Sequence, residues 1–122
     1  MRKTMSFTTI DKVARTFANL ESLSLVDCNL GNDWAKSLYE NIDSYANLKS
    51  LNVKQNKISS FGLVFLCTAL SNPQIKIEFL DISDNVISDD SLKVLFGLLT
   101  SNKHIEKIEY TVTEVKNIQR KE

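Results

Sequence analysis

The chain has 122 residues, 43% apolar and 25% charged, and its 15 basic and 15 acidic residues cancel to a formal charge of zero. That length suffices for one domain with its own core, and the composition is too apolar for a disordered chain. Zero net charge excludes the bulk electrostatic attraction of a nucleic-acid or anionic-membrane binder, and no run approaches the ~18 apolar residues of a membrane span.

In chain order, the opening MRKTMSFTTI starts basic, but Thr4, Ser6, Thr8 and Thr9 interrupt any apolar signal-peptide core. Thr8 and Asp11 resemble a capping box, and the spacing predicts a capping helix around 9–18, within an N-terminal segment 1–19, with Val13 and Phe17 turned inward. LESLSLVDCNL follows, apolar at Leu20, Leu23, Leu25 and Leu30, with Cys28 at offset 8 from Leu20. LKSLNVKQNKI repeats the frame with Leu48, Leu51, Val53 and Ile58 around Asn56, and IEFLDISDNVI repeats it with Ile77, Leu80, Ile82 and Ile87 around Asn85. Ile105, Ile108, Tyr110 and Val115 start a fourth copy, with Thr113 at the polar offset. The copies are 28, 29 and 28 residues apart.

Alternation at offsets 3 and 5 predicts a strand, whereas Leu38 and Ile42, Leu66 and Leu70, and Leu95 and Leu99 at offsets 18 and 22 share one helix face. Each period therefore reads as strand, turn, helix and return, over 20–47, 48–76 and 77–104, with a partial terminal repeat and polar tail over 105–122. Ser59 or Ser60 and Ser88 are expected to start the second and third helices, where Asp89 and Asp90 suit the helix dipole, and Pro73 follows the second helix harmlessly. In IEKIEYTV, Glu106, Lys107 and Glu109 face outward on the last strand and should discourage edge-to-edge association.

The frame L-x-x-L-x-L-x-x-(N/C)-x-L resembles the leucine-rich repeat, and a period near 28 residues with a helix is similar to its ribonuclease-inhibitor subtype, from about Ile10 to Val115. The resemblance implies an α/β right-handed solenoid, with a short parallel sheet on its concave side and helices on its convex side. Gly62 stands at offset 14, where that subtype places Gly; Trp34 and Ser91 depart from it. It also implies a structural ladder: after each strand, backbone groups turn into the coil without a sheet partner, and a carboxamide has both donors and an acceptor to pair them. Asn56 and Asn85 are expected to do so, with Cys28 and Thr113 on the same ladder doing it less completely. Three repeats is the lower limit for such a stack, so the chain reads either as a whole small protein or as a portion of a longer one.

Catalytic, cofactor and metal sites are all expected to be absent. DISDNVISDD invites a calcium loop, but counting from Asp81 the sixth and twelfth positions are Val86 and Leu92 rather than Gly and Glu. His104, the single histidine, has no ligand or base partner at useful spacing, and Cys67 lies on an apolar helix as an inert thiol. No phosphate-loop, C-x-x-C, H-E-x-x-H or G-x-S-x-G motif occurs. With two cysteines and no Asn-x-Ser/Thr sequon, an intracellular setting is expected, cytoplasmic or cytoskeleton-associated.

Binding is expected on the concave face. Offsets 2, 4 and 6 carry Ser22, Ser24 and Val26, then Ser50, Asn52 and Lys54, then Phe79, Asp81 and Ser83, and offset 7 adds Asp27, Gln55 and Asp84. Phe79, an aromatic facing out of the sheet, is the expected hot spot unless it packs on the terminal strand. Trp34 is either a rim anchor or filler against the N-terminal helix, and Phe65 with Val94 forms a convex seam. The leading function is non-catalytic binding of a protein partner, with no nucleic acid, no membrane insertion and an open oligomeric state. Similar repeats in tropomodulin-like proteins suggest, as an alternative, a small structural subunit of a cytoskeletal or ciliary assembly. Those of the Ran GTPase-activating protein suggest a small-GTPase regulator, but this chain ends in KNIQRKE where that protein has an acidic tail.

Overall fold

The structure, a computed structural model, describes Lys12, Thr16 and residues 19–112. Thr113, Val115 and the expected N-terminal capping helix, apart from helical Lys12 and Thr16, lie outside the described residues.

Four three-residue strands, β1 (Ser22–Ser24), β2 (Ser50–Asn52), β3 (Phe79–Asp81) and β4 (Lys107–Glu109), form one parallel sheet in the order β1-β2-β3-β4. Each pair is in the register of the repeat: Leu23 beside Leu51, Leu51 beside Leu80, Leu80 beside Ile108. Parallel neighbours need a crossover, supplied by helices α1 (Gly31–Glu40), α2 (Ser60–Leu70) and α3 (Leu92–Ser101). The chain is thus an α/β leucine-rich-repeat-type solenoid, as expected.

The strands stop early because the chain turns at offset 7, where Asp27, Gln55 and Asp84 adopt left-handed conformations with φ of 55°, 60° and 57°. Aspartate tolerates this region better than most residues. Just before it, the Lys54 N–H donates to Asn52 Oδ1 at 3.1 Å and the Ser83 N–H to Asp81 Oδ1 at 2.9 Å. These local bonds pull the backbone out of the strand.

Leu48, Leu51, Val53 and Ile58 of the second coil are buried with Ile77, Leu80, Ile82 and Ile87 of the third, and Leu63, Leu66, Leu70, Leu95 and Leu98 cover them from the helices. Two expected helix positions differ. Ile42 opens a 3₁₀ turn, Ile42–Tyr45, and is only half-buried, while Tyr45 fills the core there. Leu99 is exposed although Leu70 at the same offset is buried, because Leu70 is covered by the following coil and α3 is the last described helix.

Gly62 answers to steric need. A Cβ there would collide with Asn32 Oδ1 and stand 2.9 Å from Ile58 Cγ2. Trp34, at the same offset one coil earlier, is not a rim anchor: it is fully buried in the core with Ala35 and Leu38. Four residues separate it from Leu38, so both lie on the helix face that turns inward.

Candidate functional site

The sheet register sets the open face in rows. Ser22, Ser50, Phe79 and Lys107 stand side by side, and Ser24, Asn52, Asp81 and Glu109 form the next row. Of the twelve residues expected on this face, Ser22, Ser24, Val26, Asp27, Gln55, Phe79 and Asp84 are exposed, whereas Ser50, Asn52, Lys54, Asp81 and Ser83 are half-buried. Phe79 is 45% exposed. Together with Ser50, Asn52, Asp81, Lys107 and Glu109 it lines a shallow pit of about 120 Å³ over Leu51 and Leu80. Lys107 Nζ lies 3.0 Å from Glu109 Oε1, and Lys54 Nζ 3.8 Å from Asp84 Oδ2. The Asp84 N–H donates to Thr111 Oγ1 at 2.7 Å, so the rim is stitched from coil to coil. An aromatic among small polar groups and satisfied charges can take an apolar side chain with hydrogen bonds around it.

Behind this face run the amides. Asn85 Oδ1 accepts from the Asn56 and Ile58 N–H groups, both at 2.9 Å. Its Nδ2 donates to Ile82 O at 2.9 Å and Val53 O at 3.0 Å. Asn56 does the same one coil earlier: Oδ1 accepts from Cys28 N–H at 2.8 Å and Leu30 N–H at 3.2 Å, and Nδ2 donates to Leu25 O at 2.7 Å and Lys54 O at 3.1 Å. Cys28 offers its backbone N–H to Asn56, and its Sγ lies 3.5 Å from Val26 O. Thr113 lies outside the described residues. Both amide side chains are fully occupied by backbone groups, which leaves them no part in ligand chemistry.

Two further polar ladders have no place in the frame. In extended conformation, Ser59 precedes α2 and Ser88 precedes a 3₁₀ turn, Asp89–Ser91, that leads into α3, but neither makes a side-chain cap. Their hydroxyls point sideways: Asn32 Nδ2 donates to Ser59 Oγ at 2.8 Å, and Ser60 Oγ lies 3.2 Å from Ser88 Oγ. Ser91 Oγ also donates to Ser60 Oγ, at 2.7 Å. In the return, buried Asn102 donates to Leu70 O at 2.8 Å and Ile75 O at 2.6 Å, closing the end of α2. The signal for the serine ladder was the recurrence of Ser60 and Ser88, 28 residues apart.

Residues 46–67 and 75–96 each match the family model described as Leucine Rich repeat. This chain is a leucine-rich repeat protein. Over 98 residues it is 28% identical to the ribonuclease inhibitor of Mus musculus, covering 80% of this chain and 22% of that protein. Over 87 residues it is 30% identical to NACHT, LRR and PYD domains-containing protein 14 of Mus musculus, covering 71% of this chain and 9% of that protein. Over 97 residues it is 26% identical to FERM domain-containing protein C of Dictyostelium discoideum, covering 80% and 6%. The chain spans less than a quarter of the length of each. Its repeats are ribonuclease-inhibitor-like, and leucine-rich repeats serve in general as protein-binding scaffolds.

Away from the sheet, this leucine-rich repeat protein keeps its convex aromatics in two settings. Phe65 of the expected seam packs on Tyr39, ring centroids 5.7 Å apart, whereas Phe61 is 82% exposed. Phe61 borders a groove of about 360 Å³ with Val64, Asp90, Val94 and three serines. Burial pushes the Cys67 thiol up to about 12, because the low-dielectric core disfavours the thiolate. A neutral-pH thiol reagent is therefore expected to modify half-buried Cys28 first and Cys67 only on unfolding. Stoichiometric labelling of both in the native state would contradict this burial. Among the described residues, no group of three or more His, Cys, Asp and Glu is placed to hold a metal ion, and no helix is long and apolar enough to cross a membrane.

Proposed function

We propose that the chain is a non-catalytic protein-interaction module whose concave sheet face holds a protein partner around Phe79. The observation that carries this reading is a solvent-facing phenylalanine set over a pit of small polar and paired charged side chains. Large aromatics in such settings dominate binding energy, while the polar surround excludes water and orients the partner. An intracellular location, cytoplasmic or cytoskeletal, belongs to the same reading and suits the two free thiols.

The exposed convex Phe61 favours a second reading, in which the helical side seats the chain in a larger assembly. Quantitative affinity capture from the native host separates the two. Proteins held by the wild type should be lost with Phe79→Ala, reduced at least tenfold as for a hot spot worth about 2 kcal/mol, and retained with Phe61→Ser. Asp81→Asn is the suitable companion, because asparagine keeps the acceptor for the Ser83 N–H that alanine would remove. Loss with Phe61→Ser and retention with Phe79→Ala would move the site to the convex face.

A further inference from the structure

Among the described residues, the last coil carries an open face with features of its own. Among the described residues β4 ends the sheet. The Lys107 N–H donates to Glu78 O at 3.2 Å and Glu109 O accepts from the Ile82 N–H at 2.9 Å, so the backbone groups of these two residues face β3. Successive peptide groups of a strand alternate in direction, which turns the N–H and C=O of Ile108 toward the open edge. The helix side agrees. Offsets 19 and 22 are buried in the middle coil as Cys67 and Leu70, but in the last coil the same offsets hold Phe96, 62% exposed, and Leu99, also exposed.

We infer that this face is occupied by a second copy of the chain, β4 against β4, in an antiparallel two-fold dimer centred on Ile108. A two-fold axis normal to the sheet keeps the helices of both copies on one side. It brings α3 alongside α3, so that Phe96 and Leu99 meet their counterparts. Charge selects the register. Side chains stay on matching faces only when the pairing shifts by two residues. Centred on Lys107, lysine opposes lysine and the Glu106 N–H it would use is already given to Glu78 O; centred on Glu109, glutamate opposes glutamate. Centred on Ile108, each isoleucine exchanges both hydrogen bonds with its twin. Lys107 of each copy then stands opposite Glu109 of the other, in the non-hydrogen-bonded pairs where side chains approach closest. The charges that discourage indiscriminate edge pairing thus leave one register allowed.

Sedimentation of the full chain from micromolar to near-millimolar concentration tests this. A monomer–dimer equilibrium is expected. Lys107→Glu or Glu109→Lys alone should weaken it by about tenfold or more, because each reversal sets like charges opposite at two symmetric places. The double reversal Lys107→Glu/Glu109→Lys should restore dimerisation. Both positions are exposed, and melting curves in dilute solution check that every variant folds. A chain that stays monomeric throughout, as it would if its own C-terminal segment covered the edge, overturns the inference. So do single reversals that leave the dimer intact, a double reversal that fails to restore it, or growth beyond two copies by head-to-tail stacking. Capture at the concave face is read separately with Phe79→Ala, because Lys107 and Glu109 also line the pit beside Phe79.

Discussion

Asn85→Ala is expected to be the most damaging substitution on the polar ladder, lowering stability by about 3–5 kcal/mol and Tm by at least ~10 °C. The side chain is buried and satisfies the N–H groups of Asn56 and Ile58 and the carbonyls of Val53 and Ile82. Alanine leaves these groups unpaired in a space that joins two coils, and each orphaned buried group costs about 1–3 kcal/mol, partly recovered by relaxation or water. A domain of this size has only ~5–15 kcal/mol in total. Asn85→Asp sharpens the test. Its carboxylate still accepts from both N–H groups but faces two carbonyls with no proton to donate. Burial raises its native-state pKa above the unfolded value of about 3.9, so the native state binds the extra proton. Stability should then be lowest at neutral pH and recover as pH falls through the raised pKa, until the unfolded carboxyl protonates too. Urea melts at a series of pH values measure this; an Asn85→Ala protein that melts like the wild type would show the amide to be dispensable.

Trp34→Ala is expected to cost about 3–5 kcal/mol, the usual loss for emptying a buried aromatic site. The indole is fully buried in the core, so its removal opens a cavity between α1 and its neighbours. Trp34→Phe should behave quite differently. The indole Nε1 is buried and has no hydrogen-bond partner among the described residues. Phenylalanine gives up apolar area but also removes an unsatisfied donor, and the two effects of about 1–3 kcal/mol oppose each other. A net change within about 1 kcal/mol is expected. Trp34 is the single tryptophan of the chain, so the wild type can be followed by fluorescence, with blue-shifted emission when folded, and the variants by circular dichroism. An emission maximum near that of free indole in the native protein would contradict the burial.

What the sequence made legible follows from period. Leu51 and Leu80 fall inward and Phe79 outward because alternation leaves a strand no choice once the register is known, and 28- and 29-residue steps set that register. The amide ladder was equally readable: a polar side chain recurring in an apolar frame can be tolerated only if the coil itself pairs it. The sequence leaves Trp34 open between a rim anchor and filler, and its burial removes the rim anchor, because 34 and 38 share the helix face that turns inward. Ser59 and Ser88 mark the helical starts as expected, but their hydroxyls bond Asn32 and Ser60 of neighbouring coils rather than cap, a choice no local pattern reveals. Tyr45 and Asn102 escaped notice in the returns, where irregular backbone carries no period to reveal which side chain points in.

The central claim is that successive coils stack in parallel and are tied by buried carboxamides. The most direct test is nuclear magnetic resonance of the side-chain NH₂ groups of Asn56 and Asn85. Their protons should exchange with solvent as slowly as core backbone amides, and those of Asn85 should show through-space contacts to residues around Val53, one coil away, as those of Asn56 should to Leu25. Rapid exchange at both sites, or strand contacts that require an antiparallel sheet, would contradict the stacked ladder.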